Sequence, residues 1–171
     1  MRRPFSVLAA LGTFAHHAFE VRAGVGLVFE PFLGRRGAVA LWAAILPGYV
    51  AGGATGRTAR LTALSNGMSL SGALVHYVLW PWELRGGLPT LTEAEGMTDA
   101  QLPAYNRILQ GWVLASALAL ATETPRDARG WALAGLLAGE PLRRSAVHHF
   151  AWAAEQAKRD PENWSPVLRA A

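Results

Sequence analysis

Residues 37–56 read GAVALWAAILPGYVAGGATG and residues 61–82 read LTALSNGMSLSGALVHYVLWPW, with only Arg57-Thr58-Ala59-Arg60 between them. The runs are 20 and 22 residues long, and neither contains an Asp, Glu, Lys or Arg. A helix rises about 1.5 Å per residue, so about 20 apolar residues cross the hydrocarbon core of a bilayer. A four-residue connection leaves the second helix nowhere to go but back along the first. The pair predicts a tight transmembrane hairpin.

The same charge-free criterion, carried outward, predicts an all-α, multi-pass integral membrane bundle in one membrane-embedded domain, 1–171. Residues 4–19 and 108–122 give two further, shorter spans. A segment over 130–155 is ambiguous, because Gly130–Gly139 is only ten residues long and is closed by Glu140-Pro141. Proline bends or ends a helix, so this segment reads either as one kinked span or as a half-span followed by an interfacial helix. The expectation is four to five spans plus an interfacial helix. Val21–Leu33 is too short and too charged to span, and is placed at the interface or folded back inward. In the long polar connection after residue 82, Thr98 and Gln101 have the spacing of a capping box. The basic start at Arg2-Arg3, with small Ala15 after an apolar stretch, also resembles a secretory signal; we read it as the first span. With that end cytoplasmic, the Arg57/Arg60 and Arg126/Arg129 turns share its side and the acid-rich connection lies outside, as positive-inside asymmetry prefers.

Composition narrows the function classes. Hydrophobic residues make up 51% of the 171 and charged ones 16%, against about 25% charged in soluble domains. The net charge is +4 and 15 of the 16 basic residues are arginine, scattered in pairs. Nucleic-acid binding wants a continuous basic face, so no nucleic-acid partner is expected. Arginine pairs flanking apolar runs suit membrane lipid headgroups. Cysteine is absent, which removes disulfides, thiol catalysis and cysteine-ligated zinc. The glycines at Gly24 and Gly26 do not form a dinucleotide fingerprint, no GxSxG is present, and Lys158 is the only lysine.

Against that background the stretch 12–34, GTFAHHAFEVRAGVGLVFEPFLG, stands out for its His16-His17 pair and for Glu20 and Glu30. His16 and His17 lie toward the carboxyl end of the first span, His76 toward that of the third, and His148 and His149 toward that of the 130–155 segment. These three segments run the same way in an antiparallel bundle. All five histidines are therefore expected to gather at one membrane face, with Glu20 and Glu83 beside them. Ionisable residues at membrane depth face the bundle interior or a water-filled cavity. Histidine and glutamate together suit acid–base chemistry, and imidazole with carboxylate suits zinc or iron. The candidate metal ligands are His16, His17, Glu20, His76, His148 and His149, although neither HExxH nor paired ExxH is present. A haem between facing histidines is the other candidate cofactor.

Glu30, an acid among apolar neighbours, is a candidate proton donor, or else an ion-pair partner of Arg22, Arg35 or Arg36. Trp80, Trp82 and Trp112, with Trp42, form an interfacial belt and are candidate walls of a substrate pocket. If the last segment crosses the membrane, Arg143 and Arg144 fall at mid-depth and must face a polar cavity or pair with Glu20 or Glu30, where they are candidates to hold a substrate's polar headgroup or developing negative charge. Gly48, Gly52 and Gly56 form overlapping GxxxG steps, as do Gly135 and Gly139. They predict close helix packing within the chain or in a homo-oligomer. Asn66, Ser69 and Ser71 read as interhelical hydrogen-bonders. Together these residues point to a small membrane enzyme acting on a lipid-soluble, isoprenoid-like substrate through a His/Glu site near one membrane face. The rival reading is a non-catalytic membrane subunit or carrier whose histidines are structural, or ligate haem or pigment within a larger assembly.

Overall fold

Proline and glycine set the ends of the long helices. The computed structural model describes residues 3–94 and 96–170, so Arg2 of the basic start lies outside the described residues. In chain order these form α1 (Pro4–Ala23), α2 (Glu30–Thr55), α3 (Ala59–Leu79), the strands β1 (Trp82–Arg85) and β2 (Leu88–Leu91), α4 (Leu102–Glu123), α5 (Arg129–Leu137), α6 (Gly139–Arg159) and α7 (Pro166–Ala170). Helices α1, α2 and α4 each carry a proline in the first turn, where its missing N–H costs nothing. Helices α1 and α2 end on left-handed Gly24 and Gly56, a conformation open to glycine because it has no Cβ. The start of α1 has no cap of its own. The Glu123 carboxylate at the end of α4 supplies one, accepting the N–H groups of Phe5 and Ser6 at 2.8 Å and the Ser6 hydroxyl at 2.7 Å. The positive end of the helix dipole favours an anion there.

The chain is mostly helical, 76%, as expected. Helix α1 packs against α2, α3 and α4, and α3 packs against α4, α5 and α6. Helix α2 leans on α1 and meets α3 near their shared turn, where the Tyr49 hydroxyl donates to Asn66 Oδ1 at 2.8 Å. Among the described residues one helix, α2, is long and apolar enough to cross a membrane: its 26 residues include an 18-residue stretch of mean hydropathy 1.4. Helices α1, α3 and α4, which contain the other expected spans, match it in length class but are less apolar.

Their polar residues point inward. Ser6, Thr13, His16 and Glu20 on α1, Asn66, Ser69 and His76 on α3, and Asn106 and Ser116 on α4 are buried, alongside small Ala9, Ala10, Ala73 and Ala119. The outer surface instead carries exposed Leu8, Leu11, Val39, Leu61, Leu74, Val78 and Leu114. Inside, Asn66 donates to Ser6 Oγ at 2.9 Å, and Ser69 Oγ lies 3.0 Å from both Thr13 and Ser116. Ser71 donates to the Gly135 carbonyl at 3.1 Å. The sequence-based reading of Asn66, Ser69 and Ser71 as interhelical hydrogen-bonders matches these contacts.

Four expectations need correction. The break in 130–155 falls at Ala138, between α5 and α6, and Pro141 sits in the first turn of α6, where proline is tolerated. Nine residues cannot span, and α6 is amphipathic: it buries His149, Phe150, Ala153 and Ala157 and turns Arg144, His148 and Lys158 outward. The Gly48–Gly52–Gly56 face packs closely at Gly52 alone, against Thr58 and Thr62. Gly48 faces open space and Gly56 is a helix cap. The closest helix approach is Gly67 of α3 on Gly135 of α5, where a Cβ on either residue would overlap backbone of the other helix. Finally, the connection after α3 begins with a β-hairpin, in which Trp82 pairs with Leu91 and Arg85 with Leu88. Its Gly86-Gly87 turn has φ of 59° and 81°, the signature of a two-residue hairpin loop. Further on, Gln101 Oε1 accepts the Thr98 N–H at 2.9 Å, one arm of the expected capping box.

Candidate functional site

Helices α1 and α3 run in the same direction, so the carboxyl-terminal halves of both meet. His16 Nε2 lies 2.9 Å from His76 Nε2 and 3.0 Å from Glu20 Oε1, with His76 Nε2 3.9 Å from the same oxygen. Tyr105, near the start of α4, donates its hydroxyl to Glu20 Oε1 at 3.0 Å and stands 3.1 Å from His16 Nε2. All four side chains are buried. His17 completes the group, its Nδ1 2.7 Å from the Thr13 carbonyl and 3.3 Å from His16 Nδ1.

The partners assign the tautomers. His76 Nδ1 faces the carbonyls of Gly72 and Ala73 at 3.1 and 3.2 Å. A carbonyl only accepts, so Nδ1 holds the proton and Nε2 presents its lone pair to the His16 N–H. By the same logic His17 carries its proton on Nδ1.

These groups form one wall of a cavity of about 360 Å³ between α1 and α2 on one side and α3 and α6 on the other. The remaining walls are largely apolar, with Phe14, Trp42, Trp80, Trp112 and Phe150 among them. Ile45 of α2 and Met68 of α3 line the cavity and are 42% and 40% exposed, which puts the mouth at mid-helix, between α2 and α3. Two lining residues hold buried polar atoms without a partner, Trp42 Nε1 and His149 Nδ1. His149 donates from Nε2 to the Val25 carbonyl at 3.2 Å, so its free Nδ1 is an acceptor.

Of the residues singled out in the sequence, His16, His17, Glu20, His76, His149, Trp80 and Trp112 line this cavity. Trp112 Nε1 donates to Ser69. Glu30 is buried nearby and pairs with Arg35 at 3.3 Å. The gathering of five histidines is incomplete, because His148 is exposed and stacks on Phe32 at 5.6 Å. Glu83 and Trp82 are exposed on the hairpin, away from the cavity, where Glu83 pairs with Arg85. Arg143 and Arg144 do not reach Glu20 or Glu30. Both pair with exposed Glu140, at 2.7 and 2.8 Å, and these two guanidiniums hold the Glu140 carboxyl down to about 2. Tyr105 is the site residue that the sequence reading missed. Its one signal is position, since a helix extended a turn ahead of residue 108 carries it to the depth of His16 and His76.

Burial pushes the His149 imidazole below its ordinary value of 6.5. Below that pH the unfolded chain takes up a proton that the folded chain refuses. The stabilisation is therefore complete above pH 6.5 and is lost as the pH falls toward the folded value. Thermal midpoints of the purified protein should fall between neutral pH and about pH 5, and His149→Gln should flatten that fall. Parallel curves for the two proteins would refute a neutral His149.

No family model, curated protein or solved structure matches this chain.

Proposed function

We propose that the protein is a small multi-pass membrane enzyme that acts on a lipid-soluble substrate at the His16–Glu20–His76–Tyr105 cluster. The observation that carries the reading is this buried polar cluster on the wall of an otherwise apolar cavity. A carboxylate and two imidazoles are costly to hold away from water. An apolar cavity with a few convergent polar groups is the ordinary form of a small-molecule site.

Membrane placement is supported by the distribution of polarity. Helices packing in lipid gain nothing by turning large apolar side chains inward, so small residues and hydrogen-bonding groups hold them together. Here Ser, Thr, Asn, His and Glu lie between the helices, while Leu and Val cover the outside. The polar interior lowers the mean hydropathy of α1, α3 and α4 and leaves their lipid-facing stripes intact. Helix α6 then lies along the interface, with its arginines in water. A mouth at mid-helix opens sideways to the acyl chains, which is where a lipid-soluble molecule would arrive.

The cluster has both an acid and a base. Tyr105 and His16 hold transferable protons, and the His76 Nε2 lone pair and the Glu20 carboxylate receive them. Trp42 Nε1 and His149 Nδ1 would donate to and accept from a polar group of the substrate, while the aromatic walls hold its apolar part. The haem-carrying subunit is the weaker reading, because two nitrogens bound to one iron from opposite faces stand about 4 Å apart, with the macrocycle between them. His16 and His76 stand closer, at 2.9 Å.

The test has two parts. Membranes from expressing cells are washed with alkaline carbonate, and the protein should stay in the pellet until detergent is added. Purified protein is then incubated with total lipid extract and compared by mass spectrometry with the Tyr105→Phe variant. At least one lipid species should change with the wild type alone. Release by carbonate would refute the membrane placement, and identical lipid profiles would refute the enzyme.

A further inference from the structure

The three atoms His16 Nε2, His76 Nε2 and Glu20 Oε1 lie within 4 Å of one another. Their separations are 2.9, 3.0 and 3.9 Å. Ligands bound at about 2.0–2.2 Å in tetrahedral or octahedral geometry stand about 3.0–3.4 Å apart. The two edges to His16 Nε2 are close to that spacing, and the His76–Glu20 edge, at 3.9 Å, must shorten by about half an ångström for all three atoms to share one ion. Among the described residues this is the one group of three or more His and acidic side chains whose ligand atoms converge in this way.

The surroundings hold the ligands in orientation. His76 donates Nδ1–H to helix carbonyls, the outer-shell bond that fixes the tautomer of a ligating imidazole. Tyr105 holds Glu20 Oε1 from the side. His16 lies against His17 through their Nδ1 atoms, so for His16 to ligate through Nε2 its proton must move to Nδ1 and the His17 ring, which presents N–H there, must turn aside. Two neutral imidazoles and one carboxylate leave a divalent ion with one net positive charge, and all three ligands lie on the cavity wall. The remaining coordination positions would face a bound molecule.

We propose that His16, His76 and Glu20 hold a divalent first-row metal ion, zinc or ferrous iron, with open positions toward the cavity. The catalytic use of this ion rests on the cluster being the reaction centre. Such an ion supplies a Lewis acid, or an activated water, to the substrate's polar group. With the ion bound, His16, His76 and Glu20 serve as ligands in place of their acid–base roles, the activated water takes the part of the base, and Tyr105 remains the proton donor beside it.

Metal content is measured on the full-length protein, expressed in medium supplemented with zinc and iron and purified in detergent without chelator. About one equivalent per chain is expected. His76→Gln and Glu20→Gln should each lower it about tenfold or more, and exposed His148→Gln should not. Because a ligand variant can also fail to fold, chelated wild-type protein is titrated with Co²⁺ in parallel. The visible bands of four- or five-coordinate cobalt should appear, and Zn²⁺ should displace them. Metal below a tenth of an equivalent with no cobalt spectrum would overturn the site. So would full retention of metal in folded His76→Gln. A metal-loaded protein that converts no lipid keeps the site and removes the enzyme reading. Lipid conversion by a protein that binds neither cobalt nor zinc does the reverse.

Discussion

On the proposed function, Glu20→Gln is expected to cut turnover of a lipid-soluble substrate about 10³-fold while leaving KM within a small factor of the wild type. The amide fills the same volume and keeps an acceptor for the Tyr105 hydroxyl, so the packing of α1 against α3 and α4 survives. It loses the charge that makes Oε1 a base, and it loses most of its strength as a ligand. Tyr105→Phe should lose about 10²-fold, because one proton donor goes and the carboxylate stays. The measurement is steady-state conversion of the lipid that distinguishes wild-type from control incubations, with gel-filtration profiles confirming folding. A folded Glu20→Gln protein with wild-type kcat would place the chemistry elsewhere.

The largest effect on stability is expected at Gly135. A Cβ there would run into the carbonyl of Leu64 and the backbone of Met68. Backbone cannot rotate aside as a side-chain tip can, so α3 and α5 must separate. That separation also stretches the Ser71 bond to the Gly135 carbonyl. Gly135→Ala should cost about 2 kcal/mol, and Gly135→Leu about 3 kcal/mol or more, enough to prevent folding. Gly48→Leu is the control, since nothing lies within 4 Å of its added Cβ. Thermal midpoints in detergent separate the cases. A Gly135→Ala protein that melts with the wild type would mean the helices do not touch there, whereas loss at Gly48 would point to a second subunit on that face.

The sequence by itself determined where the helices are. Charge-free runs, first-turn prolines at Pro4 and Pro31, and glycine caps at Gly24 and Gly56 are local signals that act within a few residues of the chain. Short connections then oriented the helices, and that was enough to bring His16 and Glu20 to His76. The hairpin was also legible in Gly86-Gly87, a turn signal passed over in favour of the polar composition around it.

Tertiary structure alone decided which side chains face the cavity. Adjacent residues on a helix point about 100° apart, so His149 enters while His148 stays outside, and no pattern in GEPLRRSAVHHF distinguishes them. Arg107 ended the apolar run at residue 108, yet it is exposed on α4 while Tyr105, two residues earlier, is buried. A charge on one face of a helix says nothing about the other. The glycines teach the same point. Both glycine series have the spacing for close packing, yet Gly48 meets nothing while Gly135 meets Gly67, because close approach needs a small residue on both helices at one crossing, and the crossing exists only once the bundle has packed.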